Sequence, residues 1–278
     1  MPQRSHFARP ALATALAAAM GSVAAAPAFA QSSDPIAPPK AGRFSAGLGA
    51  TGEFLLSSTS LQDVQFNGSL NQLLDTLPDV EGLAQINEQS LDNSYGSLVG
   101  VQGTASYGLT DRIELFARGG YLESGASNKT AGSFAGGDTR GTFTAVLGDY
   151  SEFYLHGGAR YFFNDGMDLR PFVGGFAGVR FIDSVGMTLT ADRGDGTSFG
   201  TVYDGALFDD DTVLTAGGEF GLAYSFRNNF TFSINVGISW TGEWALADDA
   251  LDGTVLDGAE DTGRRLSIPI GGRFTYTF

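Results

Sequence analysis

The sequence has no cysteine and only two histidines, and its charge is strongly one-sided. Without cysteine there is neither a disulfide framework nor thiol chemistry. Sixteen basic residues stand against 31 acidic ones, for a formal net charge of −15. Because phosphate binding needs a basic face, this balance argues against nucleic acid as a partner. A spanning helix needs about 20 consecutive apolar residues, and no such run follows the N-terminal region, which excludes a helical membrane protein.

The first thirty residues have the pattern of an export signal. Arg4 and Arg9 precede a small apolar run, which ends in Pro27-Ala-Phe-Ala30, an A-x-A cleavage pattern. We predict a cleaved signal peptide at residues 1–30. Residues 31–41 contain three prolines, which predicts a short periplasmic lead before a single domain at residues 42–278.

What the sequence does have is glycine, with 40 residues, and aromatics, chiefly 22 phenylalanines. Eight stretches alternate apolar residues with small or polar ones, the period of a β-strand. The clearest runs from Phe230 to Trp240, where every second residue is apolar. The eight stretches begin at or near Arg43, Val99, Ile113, Phe153, Arg170, Leu214, Phe230 and Leu266.

The connections between these stretches alternate in length. Short links at residues 110–112, 164–168 and 227–229 separate long ones. Short periplasmic turns and long extracellular loops are typical of bacterial outer-membrane barrels. The sequence therefore predicts an all-β fold, a transmembrane antiparallel up-and-down β-barrel of eight strands. Two local features are less regular: leucines from Leu70 to Glu88 predict a loop helix broken at Pro78, and Pro269 predicts a bulge or late pairing in the last strand.

The last thirteen residues, Leu266 to Phe278, alternate up to a terminal phenylalanine. This ending resembles that of small outer-membrane β-barrels, the family of the OmpA transmembrane domain, OmpX and OmpW. The resemblance implies location in the cell outer membrane, with lipid and lipopolysaccharide around the barrel. It also implies recognition by the barrel-assembly machinery through Phe274, Tyr276 and Phe278.

Charged residues occupy the positions that the alternation directs into the lumen. They are Glu53, Glu114, Glu219, Arg118, Arg160, Arg180 and Arg273. An eight-stranded barrel is just wide enough inside for side chains to fill it, and buried charges need partners. We therefore expect pairs of Glu114 with Arg160 and of Glu53 with Arg180, and a group formed by Glu219, Arg118 and Arg273.

The inventory of reactive groups is poor. His156 is the single histidine after the predicted signal peptide, and the chain has no Gly-x-Ser-x-Gly elbow. We predict no enzymatic activity and no cofactor. Acidic residues cluster in the long loops, as at Asp209 to Asp211, without the spacing of a calcium loop, so no metal site is predicted. The predicted role is structural or surface interaction with a charge-plugged lumen; the alternative is a small OmpW-like or minor-porin channel for ions or small solutes.

Overall fold

The computed structural model describes residues 39–58, 64–69, 79, 81–87, 94–125, 127–163, 168–193, 195, 197–226, 229–244 and 264–278. The predicted signal peptide and residues 31–38 of the predicted lead lie outside these ranges. The described residues form fourteen strands: β1 (Phe44–Ser58), β2 (Val64–Ser69), β3 (Glu81–Ile86), β4 (Ser97–Gly108), β5 (Ile113–Ser124), β6 (Ser127–Gly136), β7 (Thr139–Leu147), β8 (Tyr150–Phe162), β9 (Leu169–Ile182), β10 (Val185–Arg193), β11 (Ser198–Phe208), β12 (Asp211–Ser225), β13 (Phe230–Thr241) and β14 (Arg265–Thr277). No helix within those ranges is long and apolar enough to cross a membrane.

Eight of the strands close into a barrel in the order β1-β14-β13-β12-β9-β8-β5-β4. All neighbours are antiparallel, and the first strand pairs with the last, from Ser45 opposite Thr277 to Ser58 opposite Arg265. The barrel strands are 12 to 15 residues long. The predicted closed eight-stranded antiparallel barrel is confirmed. We refer to its two ends as the turn end, with the short connections, and the loop end.

The barrel is apolar outside and polar inside, as the period-two alternation requires. Large apolar side chains such as Leu214, 68 % exposed, and Phe44, 64 % exposed, cover the outer wall. Polar side chains such as Ser267 and Thr277 are fully buried in the lumen. At the turn end, outward aromatics pair across strands, with ring centroids 4.8 Å apart for Phe44 and Tyr107. This distribution is the reverse of that in a water-soluble domain.

Pro269 lies within β14 and does not end the strand. On the β1 side it stands opposite Glu53, and a register shift follows at Leu55 and Ser57. On the β13 side, pairing runs to Val236 opposite Ile270 and resumes only at Ser239 opposite Ser267. The interruption has a simple cause, because proline has no N–H to donate to the ladder. The strand thus continues through the proline, with a local gap in one ladder.

The remaining strands form a second sheet beyond the loop end, in the order β11-β10-β7-β6-β3-β2. They lie in three of the four segments predicted as long loops, and most of the described residues of those segments belong to strands. Every second residue of β10 is buried and at most 2 % exposed: Val185, Met187, Leu189 and Ala191. They pack with Phe134, Phe143 and other buried residues in one apolar cluster, which we call the outer core. The same alternation was present in the sequence.

The predicted loop helix between Leu70 and Glu88 is wrong for the part that the structure describes. Residues 81–86 form β3, which pairs with β2 and β6. Leu83 is 49 % exposed while Ile86 is 6 % exposed, so two residues at helical spacing lie on opposite faces of a strand. Pairing with two neighbouring strands outweighs a weak local helical pattern. Residues 70–78 lie outside the described ranges.

Candidate functional site in the barrel lumen

Near the loop end, four charged side chains form a closed ring across the lumen, the upper charge ring of Glu53, Arg180, Glu152 and Arg265. Arg180 Nη2 lies 2.9 Å from Glu53 Oε2, and Arg180 also pairs with Glu152. Arg265 Nη2 lies 2.8 Å from Glu152 Oε2 and 3.2 Å from Glu53 Oε1. Because β9 is four strands from β1, and β8 is four strands from β14, the pairs Arg180–Glu53 and Arg265–Glu152 join opposite walls of the barrel. The other two pairs join neighbouring strands.

The upper charge ring is buried, and neighbouring hydroxyl groups bind its carboxylates. Its four side chains are at most 4 % exposed. Ser267 Oγ donates to Glu53 at 2.6 Å, and the Tyr150 hydroxyl donates to Glu152 at 2.6 Å. The same hydroxyl accepts a hydrogen bond from Arg265 at 2.6 Å. Hydrogen bonds to ionised groups are short and strong. The upper charge ring therefore stabilises the contact between opposite walls of the barrel, at the level where the lumen meets the outer core.

Toward the turn end, a second set of charges forms the lower ion-pair chain of Arg118, Glu219, Arg160 and Glu114. Glu219 lies 3.0 Å from Arg118 Nη1 and 2.5 Å from Arg160 Nε. Arg160 Nη1 also lies 2.7 Å from Glu114. Asn235 donates to Glu219 at 3.2 Å, and Ser106 donates to Glu114 at 3.0 Å. Together these contacts connect β5, β8, β12 and β13 through the lumen.

Arg273 is the exception among the predicted lumen charges. Its side chain points inward and the residue is 5 % exposed, but among the described residues no carboxylate lies within ion-pair distance of it. Glu219, which the sequence analysis placed beside Arg118 and Arg273, takes Arg160 as its second partner instead. The Nη1 atom of Arg273 is buried without a hydrogen-bond partner.

Aromatic rings lie between the charged side chains of the lumen and pack against them. The Arg160 guanidinium lies 3.8 Å from the centroid of the Phe116 ring. His156 is stacked between Tyr154 and Phe176, with centroid distances of 4.6 and 4.9 Å. The His156 Nδ1 atom lies 3.4 Å from Arg118 Nη2. A histidine held between two rings next to an arginine has a packing role here, and no described serine shares this contact.

The turn end of the lumen is crossed by Arg170 of β9. Its Nη2 donates to the carbonyl of Asp111, in the β4–β5 turn, at 2.7 Å, and its Nη1 donates to the carbonyl of Pro39 at 3.4 Å. Pro39 is buried, and the next residues return to the wall, where the Gly42 N–H donates to the Gly108 carbonyl at 2.8 Å. The segment that precedes β1 therefore lies across this mouth of the barrel.

At the loop end, the outer core covers the upper charge ring. Trp244 is 2 % exposed and stacks on Phe208, with ring centroids 4.3 Å apart. Its indole N–H donates to the Asp209 carbonyl at 3.1 Å. The side chains of Trp244 and Tyr150 pack edge to face, with ring centroids 5.7 Å apart. The hydroxyl of Tyr150 binds the upper charge ring. Close by, Tyr95 donates to the Gly148 carbonyl at 2.7 Å, and burial together with nearby Asp149 raises the pKa of Tyr95.

The predicted terminal signal lies on the outer wall next to the barrel closure. Phe274 is 61 % exposed and its ring lies 4.9 Å from that of Phe232. Tyr276 contacts the ring of Phe278 at 5.1 Å. The Phe278 N–H donates to the Phe44 carbonyl at 2.9 Å, so the last residue is part of the closing ladder.

Two members of the upper charge ring, Glu152 and Arg265, were missed in the sequence analysis. Both lie one alternation step beyond the strand stretches that were recognised: Glu152 continues the inward set of Tyr154, and Arg265 that of Ser267. Extending the period of two toward the loop end would have found them. Of the predicted acidic loop cluster, Asp209 and Asp210 are exposed, and within the described ranges no three His, Asp or Glu side chains converge as metal ligands do.

The fold and the lumen define the class of protein: a closed eight-stranded antiparallel barrel with an apolar outer wall and an ion-paired interior. No family model matches the chain, and no curated protein matches it. Among solved structures it is similar to Neisserial surface protein A, at 11 % identity over 84 % of this chain and 97 % of that one, with a TM-score of 0.38.

Two further solved structures are similar at the same level. The attachment invasion locus protein Ail of Yersinia pestis, solved with the heparin analogue sucrose octasulfate, is 9 % identical over 86 % of this chain and 99 % of its own, with a TM-score of 0.38. The outer membrane protein OprG of Pseudomonas aeruginosa is 13 % identical over 86 % and 97 %, with a TM-score of 0.35. Likeness this distant carries no argument about function.

Proposed function

We propose that the chain is an exported outer-membrane protein whose closed barrel serves as an anchor, and whose outer sheet serves a structural or surface-interaction role. The apolar outer wall supports the membrane part of the proposal. A strand of 12 residues or more, tilted as in barrels, covers an apolar band about 25 Å tall. Under this proposal the turn end faces the periplasm, and the outer sheet lies on the cell surface.

The observation that carries the proposal is that buried ion pairs span the lumen at two levels. The upper charge ring and the lower ion-pair chain each connect distant strands, and Arg170 and Trp244 lie at the two ends. A water-filled pore needs a continuous polar path, whereas these side chains fill an interior that eight strands make narrow. We infer from this filling that the lumen is closed, which favours an anchoring role over the alternative, a small channel for ions or small solutes.

Electrical recording tests the closed lumen directly. We expect the wild-type protein in planar lipid bilayers to show only small or rare openings, because every path along the lumen meets paired charges. The protein should also migrate differently on gels before and after heating, since a closed barrel resists detergent at room temperature. Steady conductance at the level of a porin would reject the closed lumen and favour the channel. Equal mobility before and after heating would reject the membrane barrel itself.

A shortened C-terminus tests the resemblance to barrels that carry an assembly signal. Deleting Phe278 removes its N–H bond to the Phe44 carbonyl, the hydrogen bond that its carbonyl accepts from Arg43, and one outward ring contact. We expect a large loss of insertion into the outer membrane in cells and only a small loss of stability after refolding. Phe226→Ala, which removes an outward aromatic at the turn end but leaves the terminus intact, is the control. An equal loss in both assays would indicate a packing role for Phe278.

We propose no catalytic role for the lumen. His156 is enclosed by Tyr154, Phe176 and Arg118, and the carboxylates named above are engaged with arginines. A hydrolytic centre needs a nucleophile, a base and access for a substrate. These neighbours of His156 leave no access for a substrate.

A further inference from the structure

The charges of the lower lumen do not balance. Between Arg170 at the mouth and the upper charge ring, the buried charged side chains of the described residues are Arg118, Arg160, Arg273, Glu114 and Glu219. Three arginines thus face two carboxylates, whereas the upper charge ring has two of each. An uncompensated charge inside a barrel surrounded by lipid is costly, and buried charges are found with partners.

The excess charge belongs to Arg273, which has no ion-pair partner among the described residues. Its guanidinium lies within electrostatic range of all four members of the lower ion-pair chain. Both carboxylates there are already bound by Arg118 and Arg160. The Nη1 atom of Arg273 remains buried and without an acceptor.

Other buried hydrogen-bond donors of the barrel strands also lack a partner. Ser233 of β13 stands directly opposite Arg273, and its hydroxyl is buried without a partner. The Nη2 atom of Arg160, the Nε atom of Arg118 and the hydroxyl of Thr104 are in the same condition. On the other side of Arg273 stands Gly49, where an added Cβ would lie 2.2 Å from the backbone oxygen of Gly272 and 2.8 Å from the Arg273 Cβ. The two strands therefore approach closely beside Arg273.

We propose that the lower lumen holds one small monovalent anion of the halide class, bound between the Arg273 guanidinium and the Ser233 hydroxyl. One negative charge balances the five buried groups, and its acceptor capacity satisfies donors that the protein leaves unused. Water alone satisfies the donors but not the charge. A large or divalent anion does not suit a lumen of eight strands whose arginines are mostly paired.

The test uses the full chain purified in detergent from membranes, with bromide as the probe. At constant ionic strength, replacing sodium gluconate by sodium bromide should raise the melting temperature saturably, by roughly 5 °C at about one hundred times the dissociation constant. Arg273→Gln should abolish the saturable part. Arg264→Gln, which changes an exposed arginine with a side chain 69 % accessible, should retain it.

Anomalous scattering from bromide in wild-type crystals provides a second measurement that does not depend on whether a variant folds. We expect one strong peak in contact with Arg273 and Ser233. The absence of such a peak, equal melting in bromide and gluconate, or a saturable shift that persists in Arg273→Gln would each overturn the proposal. None of these results depends on whether the protein has a surface role, so the two proposals fail separately.

Discussion

Glu152→Gln is expected to lower the free energy of unfolding by about 3 to 5 kcal/mol, the usual effect of leaving a buried charge without its partner. Glu152 binds both Arg180 and Arg265 and is 0 % exposed. Without its charge, two arginines share Glu53 alone. Urea unfolding of protein refolded into lipid vesicles, followed by circular dichroism, measures the change.

The chain offers a matched control in the exposed pair of Glu243 and Arg264, whose side chains are 51 and 69 % accessible. Glu243→Gln removes the same chemical group but is expected to cost no more than about 1 kcal/mol, because water screens the pair. Combining Glu152→Gln with Arg265→Gln restores neutrality, so the double variant should lose less than the two single losses together. Equal effects of Glu152→Gln and Glu243→Gln would show that the ring is not a stabilising unit.

Glu219→Ala is expected to destabilise the barrel and to make it conduct. The carboxylate holds Arg118, Arg160 and Asn235. Its removal leaves three buried arginines opposite Glu114, at a cost of about 3 to 5 kcal/mol unless water enters. Water entry opens a path whose wall is rich in arginine, so the current should prefer anions. Reversal potentials in a salt gradient across a planar bilayer measure that preference.

The control for this experiment is Glu123→Ala, which removes an exposed carboxylate near the end of β5. It should leave both stability and conductance close to those of the wild type. If the wild type conducts steadily and Glu219→Ala changes nothing, the lower ion-pair chain does not close the lumen. The small-channel alternative would then replace the anchoring role.

The barrel could be predicted from the sequence because membrane strands follow a simple physical rule. Each inward position is polar or small and each outward position is apolar, as from Phe230 to Trp240. Closure followed from the even number of stretches and the alternating lengths of their connections. The outer sheet was missed because the long connections were treated only as loops, although β6, β7, β10 and β11 are 9 to 11 residues long and only β2 and β3 are as short as six.

The lumen partners were harder to predict than the lumen positions. Alternation assigns Glu219 to the interior, but a tilted, staggered barrel decides which arginine reaches it. Arg160 reaches Glu219 from two strands away while Arg273 does not pair. Side-chain reach across a closed interior is a property of the whole fold, and no local pattern contains it. Glu152 and Arg265 were missed for a different reason, since the two stretches were taken to begin only at Phe153 and Leu266, just after these residues.

The upper charge ring also has a consequence for the lifetime of the folded protein. Arg180 and Glu53 are 127 residues apart in the chain, and Ser267 and Glu53 are 214 apart. We expect contacts of such long range to form late, after the first and last strands have met, because the entropy of closing a long loop is lost before the contact is gained. Interactions that are absent from the transition state slow unfolding and leave the folding rate nearly unchanged. We therefore expect the upper charge ring to slow the separation of β1 from β14. The stability of its ion pairs then determines how long a closed barrel stays folded.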